Sequence, residues 1–136
     1  GGIPGAEHLR DSQPLVQLLR RHQADGGWYG AICAAPAVVL SYHGLLGGRK
    51  VTGHPSFVAQ LSDGTPMAER VVVDGNCLTS RGPGTAVEFA LASHKLMLLL
   101  AQTDEAIDEP SWSQLYRVGT IASMSPEQLE GGAVEG

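Results

Sequence analysis

The sequence predicts a single α/β domain with a mainly parallel sheet. Short apolar segments alternate with amphipathic stretches, a pattern typical of strands joined by helices. The 136 residues are enough for one domain with a substantial core and too few for two. A composition of 43% hydrophobic and 17% charged residues is ordinary for a globular protein. The fold class therefore follows from the alternation, and the domain count from the length.

The first elements surround one thiol. Ser12 and Pro14 suit the first turn of a helix that ends near two consecutive glycines at 26–27. The apolar run 28–32 is too short for a helix and predicts a buried parallel strand. Pro36 then begins a helix that reaches about residue 42. Cys33 is therefore expected at the bend between a strand and a helix.

The later elements are predicted from turn residues and from hydrophobic periodicity. Asp74-Gly75 suits the two-residue turn of a hairpin, and Thr85 suits the cap of a long helix. That helix is apolar on most faces, which predicts that it is buried. The predicted elements are a glycine-rich turn at 44–48, a strand at 50–52, helical turns at 57–61, a hairpin at 70–80 and the long helix at 86–102.

Charge and cysteine usage exclude several classes of function. The net charge of −5 and the lack of a Lys/Arg cluster argue against nucleic acid and against an anionic membrane. The longest apolar run, 96–101, is much shorter than a membrane span. Cys33 and Cys77 are too few for a disulfide framework, and no cysteine or histidine has zinc-ligand spacing. We therefore expect a cytoplasmic protein without a bound metal, with the plastid or the nucleus as alternatives.

Cys33 is the strongest candidate for chemistry from the residues alone. A thiol at the start of a helix faces unsatisfied N–H groups and the positive end of the helix dipole, which favour the thiolate. An inert buried cysteine explains the local sequence equally well, because free cysteine is often buried. Cys77 lies in a predicted strand and is expected to be such a core thiol.

Four motifs, in order, resemble the DJ-1/PfpI superfamily and within it the DJ-1 branch. They are Gly-Gly followed by Pro-Gly-Ala at 1–6, Ala-Ile-Cys-Ala-Ala-Pro at 31–36, Val-Thr-Gly-His-Pro at 51–55, and Leu-Thr-Ser-Arg-Gly-Pro-Gly-Thr at 78–85. The similarity extends over residues 1–100. It implies a flavodoxin-like three-layer sandwich, of the class I glutamine amidotransferase-like type, and a homodimer.

The same resemblance assigns roles to single residues. Cys33 would be the nucleophile or the oxidation sensor, and His54 would act as acid and base or orient the site. Backbone N–H groups of Gly1, Gly2 and Ala34 would bind an oxyanion. A plain glycine turn and an exposed His-Pro loop are the structural alternatives for these positions.

The resemblance implies one of two roles for Arg81. This residue would bind a substrate carboxylate or brace the dimer, whereas the alternative is a surface arginine that bonds nearby carbonyl groups. The implied activity is a cofactor-independent glyoxalase III or protein deglycase that acts on methylglyoxal, glyoxal or early glycation adducts. The alternatives are an oxidative-stress sensor with chaperone-like behaviour and a non-catalytic fragment.

Two departures from the family pattern set the predicted domain bounds. Family members carry about 70 residues before the Gly-Gly loop, with the first strands and a glutamate that hydrogen-bonds the thiol, and they end in a short helix with an apolar end. The first segment is not seen before Gly1 here, and residues 103–136 do not follow the pattern of that final helix. We expect residues 1–102 to form the later two-thirds of the domain and 103–136 to be an acidic, flexible tail. Such a chain is expected to be a weak catalyst and to associate through an unpaired sheet edge.

Overall fold

The computed structural model describes residues 2–103. Three α-helices and five short strands are joined by one π-helix and two 3-10 turns. In chain order the elements are α1 (Gly5–Asp11), α2 (Gln13–Ala24), β1 (Tyr29–Ile32), the π-helix (Pro36–Ser41), β2 (Lys50–Val51), the first 3-10 turn (Pro55–Gln60), β3 (Thr65–Pro66), β4 (Val71–Asp74), β5 (Cys77–Ser80), the second 3-10 turn (Pro83–Thr85) and α3 (Ala86–Thr103).

The main sheet has the order β1-β5-β4. Strand β5 pairs with β1 in parallel, with Ile32 opposite Ser80, and with β4 in antiparallel. Strands β2 and β3 form a second, parallel pair. The mainly parallel α/β class is therefore confirmed, and the antiparallel pair is the hairpin predicted at Asp74-Gly75. Gly75 has a φ of +58°, which the tight turn requires.

The hydrophobic core lies between β1 and the helical elements that precede and follow it. Apolar side chains of α2 meet Tyr29 and Ala31 of β1, and the whole π-helix is buried. Leu45 and Leu46, in the turn after the π-helix, are buried as deeply as the strand residues. The effect is to fix the segment on both sides of Cys33 within the core.

One helix is not predicted from the sequence, and one predicted helix needs correction. No helix is predicted at α1, whose buried residues are Ala6 and Leu9, because the glycine and proline at its start are weak helix formers. The helix predicted from Pro36 to residue 42 is a short π-helix, Pro36–Ser41.

The prediction that the long helix is buried is wrong for the described chain. Val87 and Leu91 of α3 are 73% and 63% exposed, and the apolar residues at 98–100 are also exposed. The segment Pro83–Ala101 is long and apolar enough to cross a membrane by length and composition, with a mean hydropathy of 1.3. Core helices of globular proteins meet the same criterion, so the observation shows only that α3 has an uncovered apolar surface. The predicted tail, apart from Thr103, lies outside the described residues.

Candidate active site

Cys33 sits at the end of β1 in a strained backbone conformation. Its φ of +68° makes it the one residue other than glycine with a positive φ within the described range 2–103. The Cys33 N–H donates to the carbonyl of Ser80 (3.0 Å), and its own carbonyl accepts from the His54 N–H (2.8 Å). Because the left-handed region is unfavourable for residues with a Cβ, these contacts hold the thiol in place. Such strain is characteristic of functional sites.

The thiol, the His54 ring and the Gly82 backbone meet at one point. A Cβ atom placed on Gly82 would lie 3.5 Å from His54 Cδ2 and 4.0 Å from Cys33 Sγ. Gly82 has an extended φ of 162°, so its backbone does not require glycine, and an added Cβ would make only ordinary van der Waals contacts with the ring and the thiol. The predicted catalytic pair is therefore brought together, with Gly82 beside both members.

The His54 ring has a defined orientation. Its Nδ1 accepts a hydrogen bond from the Ser56 N–H (3.3 Å), so the neutral ring carries its proton on Nε2. The ring also makes an edge-to-face contact with Phe57, with the centroids 6.1 Å apart. Both contacts come from the turn that follows Pro55. They leave Nε2 as the nitrogen that can exchange a proton with a bound molecule.

Two hydroxyl groups hold the Gly82 loop, and sequence reasoning missed their role. The Gly82 N–H donates to Thr85 Oγ1 (3.1 Å), and the same hydroxyl donates to the Gly82 carbonyl (2.9 Å). Ser80 Oγ lies 2.6 Å from Thr85 Oγ1, and both residues are buried. A threonine three residues after a glycine is the available sequence signal, because that spacing is typical of a helix-start hydrogen bond. The two hydroxyl groups fix the backbone that faces the thiol.

Of the three predicted oxyanion donors, the structure describes Gly2 and Ala34. Within residues 2–103 the Ala34 N–H makes no hydrogen bond, while its carbonyl accepts from the next helical turn. Gly2 is exposed at the start of α1, and its carbonyl accepts from the Ala6 N–H (2.8 Å). Gly1 lies outside the described residues. Ala34 is thus available as a donor directly after Cys33, and the role of the glycines stays a prediction.

Arg81 adjoins the site in sequence, but its side chain turns to the loop before β4. Its Nη1 donates to the Ala68 carbonyl at 3.5 Å, and its backbone N–H donates to Arg70 (3.1 Å). This is the surface-arginine alternative considered above. Binding of a substrate carboxylate and bracing of a dimer stay predictions.

Cys77 is the inert core thiol that was predicted. It is 1% exposed, and burial raises the pKa of its thiol to about 11. Burial likewise raises the pKa of neighbouring Tyr29 to about 12, and the charge of Cys77 adds to this effect. The Tyr29 hydroxyl donates to the carbonyl of Leu45 at 2.6 Å. Cys33, by contrast, is only partly buried, so the two thiols differ in access to reagents.

The described part of the chain offers no group of three or more histidine, cysteine, aspartate and glutamate residues that could hold a metal ion. Its candidate chemistry therefore lies in the Cys33 thiol, the His54 ring and the backbone amides next to them.

Comparisons with known proteins identify the family. A model of the DJ-1/PfpI family matches residues 1–96. The chain is 50% identical over 92 residues to protein DJ-1 homolog B of Arabidopsis thaliana, which covers 68% of this chain and 21% of that protein. It is 39% identical over 92 residues to the glutathione-independent glyoxalase DJR-1.2 of Caenorhabditis elegans, covering 66% and 48%.

The solved structures show the same relationship. Oxidized DJ-1 of Toxoplasma gondii superposes with a TM-score of 0.66 at 42% identity, covering 86% of this chain and 57% of that one. The chain thus spans between about a fifth and somewhat over half of the length of these relatives. Its α/β architecture is that of the flavodoxin-like fold, and the chain belongs to the DJ-1/PfpI family.

Proposed function

We propose that this chain supplies the nucleophile of a cofactor-independent glyoxalase III or protein deglycase. The observation that carries the proposal is the convergence of Cys33 Sγ and the His54 ring at Gly82. A cysteine in an unfavourable backbone conformation with a histidine nearby is an arrangement that supports covalent catalysis by a thiol. The relative named as a glutathione-independent glyoxalase supports the choice of reaction.

With methylglyoxal, the reaction starts at the aldehyde carbon. The Cys33 thiolate forms an S–C bond to that carbon, and the former carbonyl oxygen takes up a proton to give a hemithioacetal. A proton then leaves the same carbon and another is added to the neighbouring ketone carbon, which gives a lactoyl thioester. Water cleaves the S–C bond and releases lactate and the free thiol. The sequence is redox-neutral overall and consumes one water molecule.

Each step needs groups that the site can offer. In this proposal the Ala34 N–H, which makes no hydrogen bond within residues 2–103, donates to the oxyanion, and His54 Nε2 moves a proton. By the family resemblance, Gly1, Gly2 and an upstream glutamate complete the site. The chain spans part of its relatives, so we propose that the segment with that glutamate is needed for full activity.

The substrates that we propose are small reactive aldehydes or the glycation adducts formed early on protein side chains. We further propose a homodimer in the cytoplasm. The exposed apolar surface of α3 supports association, because an uncovered face of this kind favours burial against another protein surface.

A redox sensor is the second candidate, favoured by the unequal access of the two thiols. In this function the Cys33 thiolate attacks peroxide, breaks its O–O bond, releases hydroxide and becomes a sulfenic acid. After this acid loses its proton, a second peroxide oxidises the sulfenate to the sulfinate and leaves as water. The structure of oxidized DJ-1 from Toxoplasma gondii supports the comparison. Steady turnover of methylglyoxal separates the two functions, since a sensor is consumed by its reaction.

The deciding experiment compares two matched variants, Cys33→Ser and Cys77→Ser, in a methylglyoxal-loss assay with lactate measured as product. It is run on this chain and on a version extended by a family N-terminal segment. We expect Cys33→Ser to abolish turnover and Cys77→Ser to leave it nearly intact. Equal losses in the two variants would refute the assignment of Cys33. If the unsubstituted short chain turns over methylglyoxal as fast as the extended version, the upstream glutamate is not needed.

A further inference from the structure

A cavity of about 440 Å³ lies between α1, the π-helix and the first 3-10 turn. This volume is within the range of small-molecule sites. Its walls combine apolar and aromatic side chains with a few polar ones: Ile3, Glu7, Arg10, Ala37, Val38, Tyr42, Phe57, Gln60 and Ser62.

The Phe57 ring separates this cavity from the candidate active site. One side of the ring contacts His54, and Phe57 also lines the cavity. Cys33 and His54 themselves are not among the cavity residues. The space is therefore distinct from the site at which the thiol reacts.

The charges at the cavity are not balanced. Arg10 Nε and Nη2 donate to the two carboxylate oxygens of Asp11 at 2.7 and 3.0 Å. The same guanidinium lies over the Tyr42 ring, 5.2 Å from its centroid. Arg10 is thus neutralised by Asp11 and held against one wall.

Glu7 has no such partner. Within residues 2–103 its carboxylate forms no hydrogen bond or ion pair, although it acts on Arg10 through space. Because Arg10 already pairs with Asp11, Glu7 is the uncompensated charge among the residues that line the cavity. The cavity therefore attracts a cation rather than an anion.

We propose that this cavity binds a primary ammonium group carried on an apolar stem. The stem would lie against Ile3, Val38 and Phe57, and the ammonium group would pair with Glu7. Aromatic walls suit such a ligand, because ring faces attract cations while ring bodies pack on hydrocarbon. A free amine and a lysine side chain of a peptide share this chemistry. The site is independent of the reaction proposed for Cys33.

Calorimetric titration with a matched pair of ligands tests the charge preference. We expect 2-phenylethylamine to bind with a Kd on the order of 1 mM or below, and 3-phenylpropanoate to bind at least about tenfold more weakly. Nα-acetyl-lysinamide, titrated in parallel, distinguishes a peptide source from a free amine, and tighter binding of either one supports the site. Absence of amine binding, or equal affinity for the amine and the carboxylate, would overturn the proposal.

Variants locate the binding on Glu7. We expect Glu7→Gln to weaken amine binding about tenfold and Glu7→Lys to reverse the preference toward the carboxylate. Glu69→Gln removes an equally negative residue away from the cavity and should leave the affinity unchanged. Equal effects of Glu7→Gln and Glu69→Gln would overturn the assignment, and circular dichroism establishes that each variant is folded. Binding should persist in Cys33→Ala, so that loss of activity and loss of this site are separate results.

Discussion

Replacing Cys33 by glycine is expected to give a more stable protein than replacing it by alanine. The residue has a φ of +68°. A Cβ in this region costs about 1–2 kcal/mol, which glycine avoids. Glycine loses more backbone entropy on folding, which costs about 0.5–1 kcal/mol relative to alanine. The difference predicts that Cys33→Gly is more stable than Cys33→Ala by about 0.5–1 kcal/mol.

Urea unfolding followed by circular dichroism measures this difference in the free energy of unfolding. Ala90 supplies the control, because it is exposed within α3, where glycine should cost about 1 kcal/mol. The two alanine-to-glycine comparisons are therefore expected to have opposite signs. If glycine destabilises at both positions, Cys33 does not adopt the left-handed conformation and the argument for stored strain fails.

Three further outcomes follow from the site and its surroundings. Gly82→Ala should change the free energy of unfolding by no more than about 1 kcal/mol, since the φ of Gly82 is extended and the new contacts of 3.5 and 4.0 Å are ordinary. The same variant should lower methylglyoxal turnover about 10²-fold, because the added methyl group displaces the substrate. Unchanged turnover would show that the substrate does not use the space beside Gly82. Mild peroxide followed by peptide mass spectrometry should oxidise Cys33 before Cys77, and the reverse order would contradict the difference in access. Above pH 9 the stability should fall, because the pKa of Cys77 rises from 9.0 unfolded to about 11 and that of Tyr29 from 10.0 to about 12, so the unfolded state loses protons first. Urea midpoints from pH 8 to 11 measure this loss, and Cys77→Ser should reduce its slope; an equal slope would assign the loss to other groups.

The backbone around Cys33 could be predicted from the sequence only in outline. An apolar run followed by Pro36 predicts a strand and then a helix; the structure confirms the strand and has a short π-helix, Pro36–Ser41, in place of the α-helix. The left-handed conformation of the cysteine could not be foreseen, because its hydrogen bonds come from Ser80 and His54, which are distant in sequence. Local propensity favours a different conformation at this residue, and tertiary contacts determine the one observed.

For the long helix α3, the sequence predicts the local structure correctly but not the burial. Its hydrophobic periodicity correctly predicts a helix that begins after Thr85. The inference that it is buried fails because burial depends on a second surface, which periodicity does not describe. The exposed side chains of Val87 and Leu91 show that the described residues leave this apolar face of α3 uncovered.

The contacts that hold Cys33 and the exposed apolar surface of α3 lie in different parts of the domain. The groups that hold the thiol, namely the Ser80 carbonyl, the His54 N–H and the loop fixed by Thr85, all lie in the described residues. The Cys33 backbone is therefore held by contacts within the described residues. The uncovered surface of α3 lies elsewhere, directly after the Gly82 loop in sequence. Covering α3 would restrain the helix that begins at Ala86 and, through Thr85, the backbone at Gly82. A segment or partner that covers α3 can thus tune the site without contacting Cys33, so binding at α3 and turnover at the thiol should be coupled.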